Sequence, residues 1–171
     1  MCGIIGYTGK LAAAPVLIEG LKRLEYRGYD SAGLAVVADE HMYQVKSVGK
    51  VAQLEAVAGQ QPELKKLAGC GIAHTRWATH GAPSTLNAHP HLDESGRFAV
   101  VHNGIIENYQ ELRKHLEGKG VHFRSQTDSE VIPHLIAGAY EGDLLSAVAA
   151  ALKQLDGTYG IAVISSLEPG V

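Results

Sequence analysis

The chain has 171 residues, of which 46% are hydrophobic and 19% are charged, as in a soluble globular protein with one sizeable core. Its net charge of −3 and its lack of a basic run argue against nucleic acid or an anionic membrane as a partner, and no segment predicts a transmembrane span or a signal peptide. Two cysteines form no disulfide framework, which makes the reducing cytoplasm the expected compartment.

The first half of the chain predicts a strand, a helix, a hairpin, a further helix and another strand. Residues 4–8 favour a short strand, and five apolar residues at helical spacing follow: Ala14, Leu17, Ile18, Leu21 and Leu24. Residues 34–38 and 42–47 predict two strands joined by a tight turn. Residues 51–67 predict a weak, interrupted helix, and residues 71–75 predict the next strand.

The second half predicts two strands that enclose three helices. Residues 97–102 and 159–165 favour strands, whereas residues 106–116 and 144–155 favour helices. Thr-Asp-Ser-Glu at 127–130 is typical of a capping box that opens another helix, with which Pro133 would conflict. Because strands and helices come in pairs, the pattern predicts layered α+β architecture more than alternating βαβ units.

Cys2 would become the N-terminal residue if Met1 were removed. Its α-amino group would then lie on the same residue as its thiol, and a free α-amine with a pKa of about 7.7–8.0 can act as a base near neutral pH. Nucleophile and proton shuttle would thus belong to one residue. The alternative is a buried, apolar cysteine that begins a strand.

Three polar loops separate the predicted elements, and such loops often carry binding or catalysis. They span residues 26–33, residues 74–81 followed by 87–91, and residues 101–104. The first could be a simple turn, and the Asn-Gly of the third could be a hairpin turn. The second could be solvated, or it could form a metal site, although the spacing matches no zinc pattern. The candidate ligands are Cys70, His74, His80, His89 and His91.

Several motifs together identify a family. They are Met-Cys-Gly-Ile-Ile-Gly (1–6), Arg-Gly-Tyr-Asp-Ser-Ala-Gly (27–33), His-Thr-Arg-Trp-Ala-Thr-His-Gly (74–81), Asn-Ala-His-Pro-His (87–91), His-Asn-Gly-Ile-Ile-Glu-Asn (102–108) and Thr-Asp-Ser-Glu (127–130). With them, the chain resembles the glutaminase domain of the glutamine–fructose-6-phosphate amidotransferases, which are class II glutamine amidotransferases. The resemblance runs from Cys2 through at least Glu130.

The resemblance implies an N-terminal-nucleophile hydrolase fold, a four-layer αββα sandwich of two mainly antiparallel sheets. It also implies a catalytic set of three residues. Cys2 would attack the carboxamide carbon of glutamine, and its α-amino group would pass the proton to the departing ammonia. The side chain of Asn103 and the backbone N–H of Gly104 would form the oxyanion hole. No cofactor or metal is expected for this chemistry.

The same resemblance implies how glutamine would be held. Arg76 would bind the α-carboxylate with help from Thr79 and His80, and Asp128 would bind the α-ammonium. A carboxylate at position 128 could equally be stabilised by the predicted helix N-terminus without any ligand. Supporting residues would be Trp77, in a loop folded over glutamine, and Arg27 and Gly28, which would flank the nucleophile.

The resemblance further implies a longer parent protein in which a sugar-phosphate isomerase half follows the glutaminase domain. The parent is expected to convert fructose 6-phosphate to glucosamine 6-phosphate and to form a homo-oligomer. We expect residues 1–171 to be a C-terminally shortened version of the domain. Two alternatives remain: a non-catalytic glutamine-binding module of the same fold, and a metal-binding domain. A binding module would need Arg76 and Asp128 but not Cys2.

Overall fold

The computed structural model describes residues 2–27, 29–65, 69–77 and 81–171, without the side chains of Arg27 and Lys65. The strands of the described residues are β1 (Gly3–Thr8), β2 (Ser31–Ala38), β3 (His41–Val48), β4 (Cys70–Arg76), β5 (His91–Leu92), β6 (Phe98–Ile106) and β7 (Gly157–Ser165). The α-helices are α1 (Ala13–Leu24), α2 (Val51–Gly59), α3 (Tyr109–Gly118), α4 (Val131–Ala139) and α5 (Leu144–Leu152). Short 3₁₀ helices occupy Glu25–Arg27 and Pro62–Lys65.

The strands form two antiparallel sheets that pack face to face between two layers of helices. The first sheet has the order β1-β4-β2-β3, and the second has the order β5-β6-β7. Helices α1 and α2 share one apolar cluster with the first sheet, whereas α3, α4 and α5 share another with the second. A third cluster lies between the sheets. The predicted four-layer αββα architecture is therefore confirmed.

Strand alternation assigns each side chain to one of these clusters. In β4, Ile72 packs between the sheets and Ala73 packs towards α1. In β6, Val101 packs between the sheets and Val100 packs towards the helices. The same alternation places both His74 and Asn103 on the inner faces, where the two sheets meet.

The predicted hairpin is confirmed, with β2 and β3 in antiparallel register from Ser31↔Val48 to Ala38↔His41. Asp39 and Glu40 form its two-residue turn with φ values of 51° and 62°. Positive φ at both central residues is the pattern of a type I′ turn, whose twist matches that of the strands. Within the described part of the chain, no helix is long and apolar enough to cross a membrane.

The predicted end of the strand at residue 102 is wrong, as is the predicted helix start at residue 106. β6 continues to Ile106, and α3 begins only at Tyr109. Asn103 pairs with Gly160, and Gly104 pairs with Tyr159, so neither residue lies in a hairpin turn. The ladder to β7 therefore overrides the local turn preference of Asn-Gly.

The predicted capping box is also wrong. The N-cap of α4 is Glu130, and its side chain makes no capping bond. Its carboxylate instead accepts hydrogen bonds from the backbone N–H groups of Arg124 at 2.8 Å and Ser125 at 2.6 Å. Pro133 lies in the first turn of α4, where no intrahelical N–H bond is lost. Helix α5 ends at Leu152, before the predicted residue 155.

Candidate active site

Cys2 lies just before β1, at the end of the first sheet where β4 finishes. Gly3 pairs with Thr75, which brings the start of β1 beside the end of β4. The Sγ atom of Cys2 accepts a hydrogen bond from the backbone N–H of Trp77 at 3.1 Å. Cys2 is only partly buried, whereas Cys70 is buried. The alternative of Cys2 as a buried apolar residue is therefore wrong.

Asn103 reaches Cys2 from the second sheet. Its Nδ2 donates to the backbone oxygen of Cys2 at 3.4 Å, and its Oδ1 accepts from Nε2 of His74 at 2.8 Å. Gly104 follows with φ +139°, and an added Cβ there would lie 1.9 Å from the carbonyl oxygen of Thr158. This backbone conformation therefore requires glycine.

Arg76 ends β4 and is 97% buried, with a relative exposure of 3%. Its Nη2 donates to the carbonyl oxygen of Gly81 at 3.0 Å, and its Nη1 lies 3.8 Å from Oδ1 of Asp30. The backbone N–H of Asp30 also donates to the carbonyl oxygen of Arg76 at 2.8 Å. The guanidinium is thus fixed at the same sheet end as Cys2, beside a carboxylate.

Asp128 is bound to β6 rather than to a helix N-terminus. Its Oδ2 accepts from the backbone N–H of Ile106 at 2.8 Å, and its Oδ1 accepts from the hydroxyl of Ser129 at 3.3 Å. Ser129 also hydrogen-bonds Nδ1 of His102 at 2.7 Å. Because α4 begins at Val131, these bonds stabilise the carboxylate without the helix. The bond to Ile106 holds the Asp128 carboxylate beside β6, two residues after Gly104.

Four buried histidines lie behind the site: His74, His89, His91 and His102. The rings of His74 and His89 are 4.4 Å apart, and those of His89 and His91 are 4.5 Å apart. Burial lowers the pKa of His74 to about 4, and it also lowers the pKa of each of the other three rings. These rings are therefore neutral near pH 7.

A glycine of the first polar loop allows this packing. Gly33 pairs with His74 across β2 and β4, and an added Cβ would lie 2.2 Å from the carbonyl oxygen of His89. Within the described ranges, no group of three or more His, Cys, Asp or Glu residues is arranged to hold a metal ion. The alternative of a histidine metal site includes His80, which lies outside the described residues.

The remaining predicted site residues are only partly described. Trp77 directly follows β4 and is 56% exposed, as a loop position over the site would be. Thr79, His80 and Gly28 lie outside the described residues, as does the side chain of Arg27.

The sequence patterns did not assign Asp30 to the site and predicted His74 only as a candidate metal ligand. Asp30 could have been placed beside Arg76 if the register of β2 and β4, which pairs Ser31 with Arg76, had been known. The alternation of side chains along β4 places His74 on the same inner face as Ile72, which could have indicated its position near the second sheet.

Comparison with known proteins matches the glutamine amidotransferase domain family to residues 74–169. A glutamine–fructose-6-phosphate aminotransferase (isomerizing) from Symbiobacterium thermophilum is 60% identical over 171 residues, covering 99% of this chain and 27% of that protein. The protein of the same name from Aquifex aeolicus is 55% identical over 170 residues, covering 99% and 28%. This chain thus spans little more than a quarter of the length of these relatives.

Solved structures agree with the fold. The glutamine phosphoribosylpyrophosphate amidotransferase from B. subtilis has a TM-score of 0.79 at 26% identity, covering 97% of this chain and 35% of that chain. A glutamine aminotransferase class-II domain protein from Silicibacter pomeroyi has a TM-score of 0.61 at 19% identity, covering 97% and 73%, which supports the fold alone. The architecture is that of the N-terminal-nucleophile amidotransferases. With most of its length matched, the chain belongs to the glutamine amidotransferase domain family.

Proposed function

We propose that this chain is a glutaminase domain that hydrolyses L-glutamine to glutamate and ammonia through a thioester on Cys2. One observation carries the proposal. Cys2 is partly exposed, its sulfur accepts the N–H of Trp77, and the carboxamide of Asn103 reaches its backbone oxygen from the other sheet. A nucleophile and a hydrogen-bond donor for the developing oxyanion are the minimum that acyl transfer requires.

The proposed reaction starts with proton transfer from the Cys2 thiol to its own α-amino group. Sγ then attacks the carboxamide carbon, and the carbonyl oxygen gains a negative charge that Asn103 Nδ2 and Gly104 N–H stabilise. The C–N bond breaks as the α-ammonium returns its proton to the leaving nitrogen, which releases ammonia. Water attacks the thioester, and glutamate leaves as the thiol is restored.

Glutamine binding uses charges at the same end of the sheets. The Arg76 guanidinium suits the α-carboxylate, because its planar fork matches two carboxylate oxygens. The buried carboxylate of Asp128, which is hydrogen-bonded to β6 near Gly104, has the negative charge that suits the α-ammonium of glutamine. Thr79 and His80 remain proposed helpers of Arg76, and Arg27, Gly28 and Trp77 remain proposed supporting residues.

The proposed setting is a longer protein. The relatives named above are aminotransferases of which this chain spans only 27–28%. We infer that an isomerase half of the parent receives the ammonia and converts fructose 6-phosphate to glucosamine 6-phosphate. The proposed parent is a homo-oligomer in the cytoplasm, where a nucleophilic thiol stays reduced.

Glutamate release from glutamine by the purified chain tests the proposal. Intact-mass measurement should first show that Met1 is absent, since an acylated nitrogen on Cys2 has no basicity. The expected result is turnover by the wild type and none by Cys2→Ala, with both proteins equally folded. Glutamine binding without glutamate release, in a protein whose N-terminus is Cys2, would overturn the proposal in favour of a binding module.

A further inference from the structure

We propose that His74 is a positioning residue that fixes the carboxamide of Asn103 with its N–H₂ group towards Cys2. This inference rests on the proposed glutaminase function, in which that N–H₂ group stabilises the oxyanion. His74 itself touches neither the nucleophile nor the substrate in this scheme. It acts through one hydrogen bond, from its Nε2 to Oδ1 of Asn103 at 2.8 Å.

The orientation of the amide follows from its two neighbours. One end of the Asn103 amide faces the backbone carbonyl oxygen of Cys2 at 3.4 Å, and the other faces Nε2 of His74. A carbonyl oxygen only accepts hydrogen bonds, so the end that faces Cys2 must be the N–H₂ group. Oδ1 therefore faces His74, and Nε2 of His74 must carry a proton and donate.

His74 is suited to hold that tautomer in place. Its side chain is fully buried, on the interior strand β4 between Ile4 of β1 and Gly33 of β2. The ring of His89 packs against it with 4.4 Å between ring centroids. Burial keeps the ring neutral, with a pKa of about 4, so it carries a single proton to place on Nε2. A rigid donor of this kind can fix the carboxamide before substrate arrives.

Loss of this donor should act on the chemical step. A freed carboxamide can rotate by half a turn and present Oδ1 where the oxyanion forms. The site would then lose a donor and gain a repulsive lone pair. Because the oxyanion exists only at and near the transition state, kcat should fall while KM stays close to that of the wild type. The loss should be tenfold or more and approach the roughly 10²- to 10³-fold effect of deleting an oxyanion donor.

Three substitutions separate positioning from general structural damage. His74→Gln can place its Nε2 near the original ring Nε2 and should restore most of kcat. His74→Asn is polar but too short to reach Asn103, and His74→Leu has no donor; both should lose kcat. If His74→Leu fails to fold, the comparison of His74→Gln with His74→Asn still decides the question.

Two further measurements complete the test. In the Asn103→Ala background, His74→Leu should change kcat by less than about twofold, because no carboxamide remains to be oriented. Alkylation of Cys2 by iodoacetamide passes through no oxyanion, so its rate should match that of the wild type in every folded variant.

The measurements distinguish failure of the proposed glutaminase function from failure of the proposed role of His74. No glutamate release by the wild type would defeat the proposed function and this inference with it. Wild-type turnover with an undiminished kcat in His74→Leu and His74→Asn would overturn the positioning role alone. An equal loss of kcat in the Asn103→Ala background, or a parallel loss of alkylation, would show that His74 merely supports the structure.

Discussion

At the scale of single residues, the two thiols of the chain have different surroundings. Burial raises the pKa of the Cys70 thiol, whereas Cys2 is partly exposed and accepts the Trp77 N–H. We predict that Cys70→Ala retains most glutaminase turnover, whereas Cys2→Ala loses it. A diazo-ketone analogue of glutamine should label Cys2 alone, as peptide mass spectrometry would show. Labelling chiefly at Cys70 would contradict the assignment.

Arg76 and Asn103 are expected to fail in different ways when substituted. Arg76→Lys keeps the charge but loses the planar fork, so KM should rise by about 10-fold or more. Asn103→Ala removes the proposed oxyanion donor, which acts only in the transition state of the proposed reaction, so kcat should fall by roughly 10²- to 10³-fold. Steady-state kinetics on both variants check this division. The same kinetic defect in both would show that binding and chemistry are not separated as proposed.

The sequence motifs predicted which residues gather at the site but not how they contact one another. One end of the two sheets does hold the predicted residues Cys2, Arg76, Asn103, Gly104 and Asp128. Their roles remain predictions. The contact between His74 and Asn103 spans 29 residues of sequence and joins different sheets. Such a contact depends on how the two sheets pack, which no local pattern encodes.

At the scale of secondary-structure elements, β5 was not predicted, and β6 was predicted to end at residue 102, four residues before its end at Ile106. Asn-Gly is a strong turn signal because both residues tolerate positive φ. Here Gly104 uses its positive φ within the strand, at +139°, and pairing with Tyr159 continues the ladder to Ile106. The bounds of β1, β3, β4, β7 and α1 were predicted to within two residues, whereas β2 begins at Ser31, in a segment predicted as a loop.

The unusual backbone of β6 predicts a difference between two glycines of one ladder. An added Cβ at Gly104 would lie 1.9 Å from the carbonyl oxygen of Thr158, whereas one at Gly160 would meet nothing within 4 Å. Gly104→Ala should lower the free energy of unfolding by about 1–3 kcal/mol or more. It should also impair turnover, because the proposed oxyanion donors would shift.

Gly160→Ala is the matched control, because Gly160 lies opposite Asn103 in the same pair of strands. Its effect on the free energy of unfolding should stay within about 0.5 kcal/mol. Urea denaturation of both variants provides the measurement. Equal destabilisation by the two substitutions would mean that β6 tolerates a side chain at position 104 no worse than β7 does at position 160.

At the scale of the whole molecule, periodicity alone predicted α+β layers but not the order of strands within them. β4 inserts between β1 and β2, so one of the two interior strands of the first sheet comes last of its four strands in sequence. Sequence distance gives no indication of such an insertion. The four-layer arrangement came from the family resemblance, and the structure confirms it.

The layered packing also determines how the molecule should respond to acid. The four histidines behind the site (His74, His89, His91 and His102) have folded pKa values below the ordinary value of 6.5, mainly because burial disfavours their charged form. Above pH 6.5 these rings are neutral in both the folded and unfolded states. As the pH falls below 6.5, the unfolded chain binds protons that the folded protein does not, and stability is lost.

We therefore predict that the free energy of unfolding falls between pH 6.5 and about 4, with His74 alone accounting for about 3 kcal/mol across that range. Burial raises the pKa of Glu130, but hydrogen bonds to its carboxylate outweigh this effect and lower the pKa to about 2. The contribution of Glu130 to the free energy of unfolding is therefore lost only as the pH falls below the ordinary pKa of 4.5. The decline in the free energy of unfolding that begins at pH 6.5 is thus caused by the histidines.

Urea denaturation at a series of pH values checks this prediction. His89→Met should flatten the slope by about 1.4 kcal/mol per pH unit, because one proton-binding ring is removed from the unfolded chain. Constant stability down to about pH 5 would contradict the prediction and would mean that these rings bind protons equally well in both states.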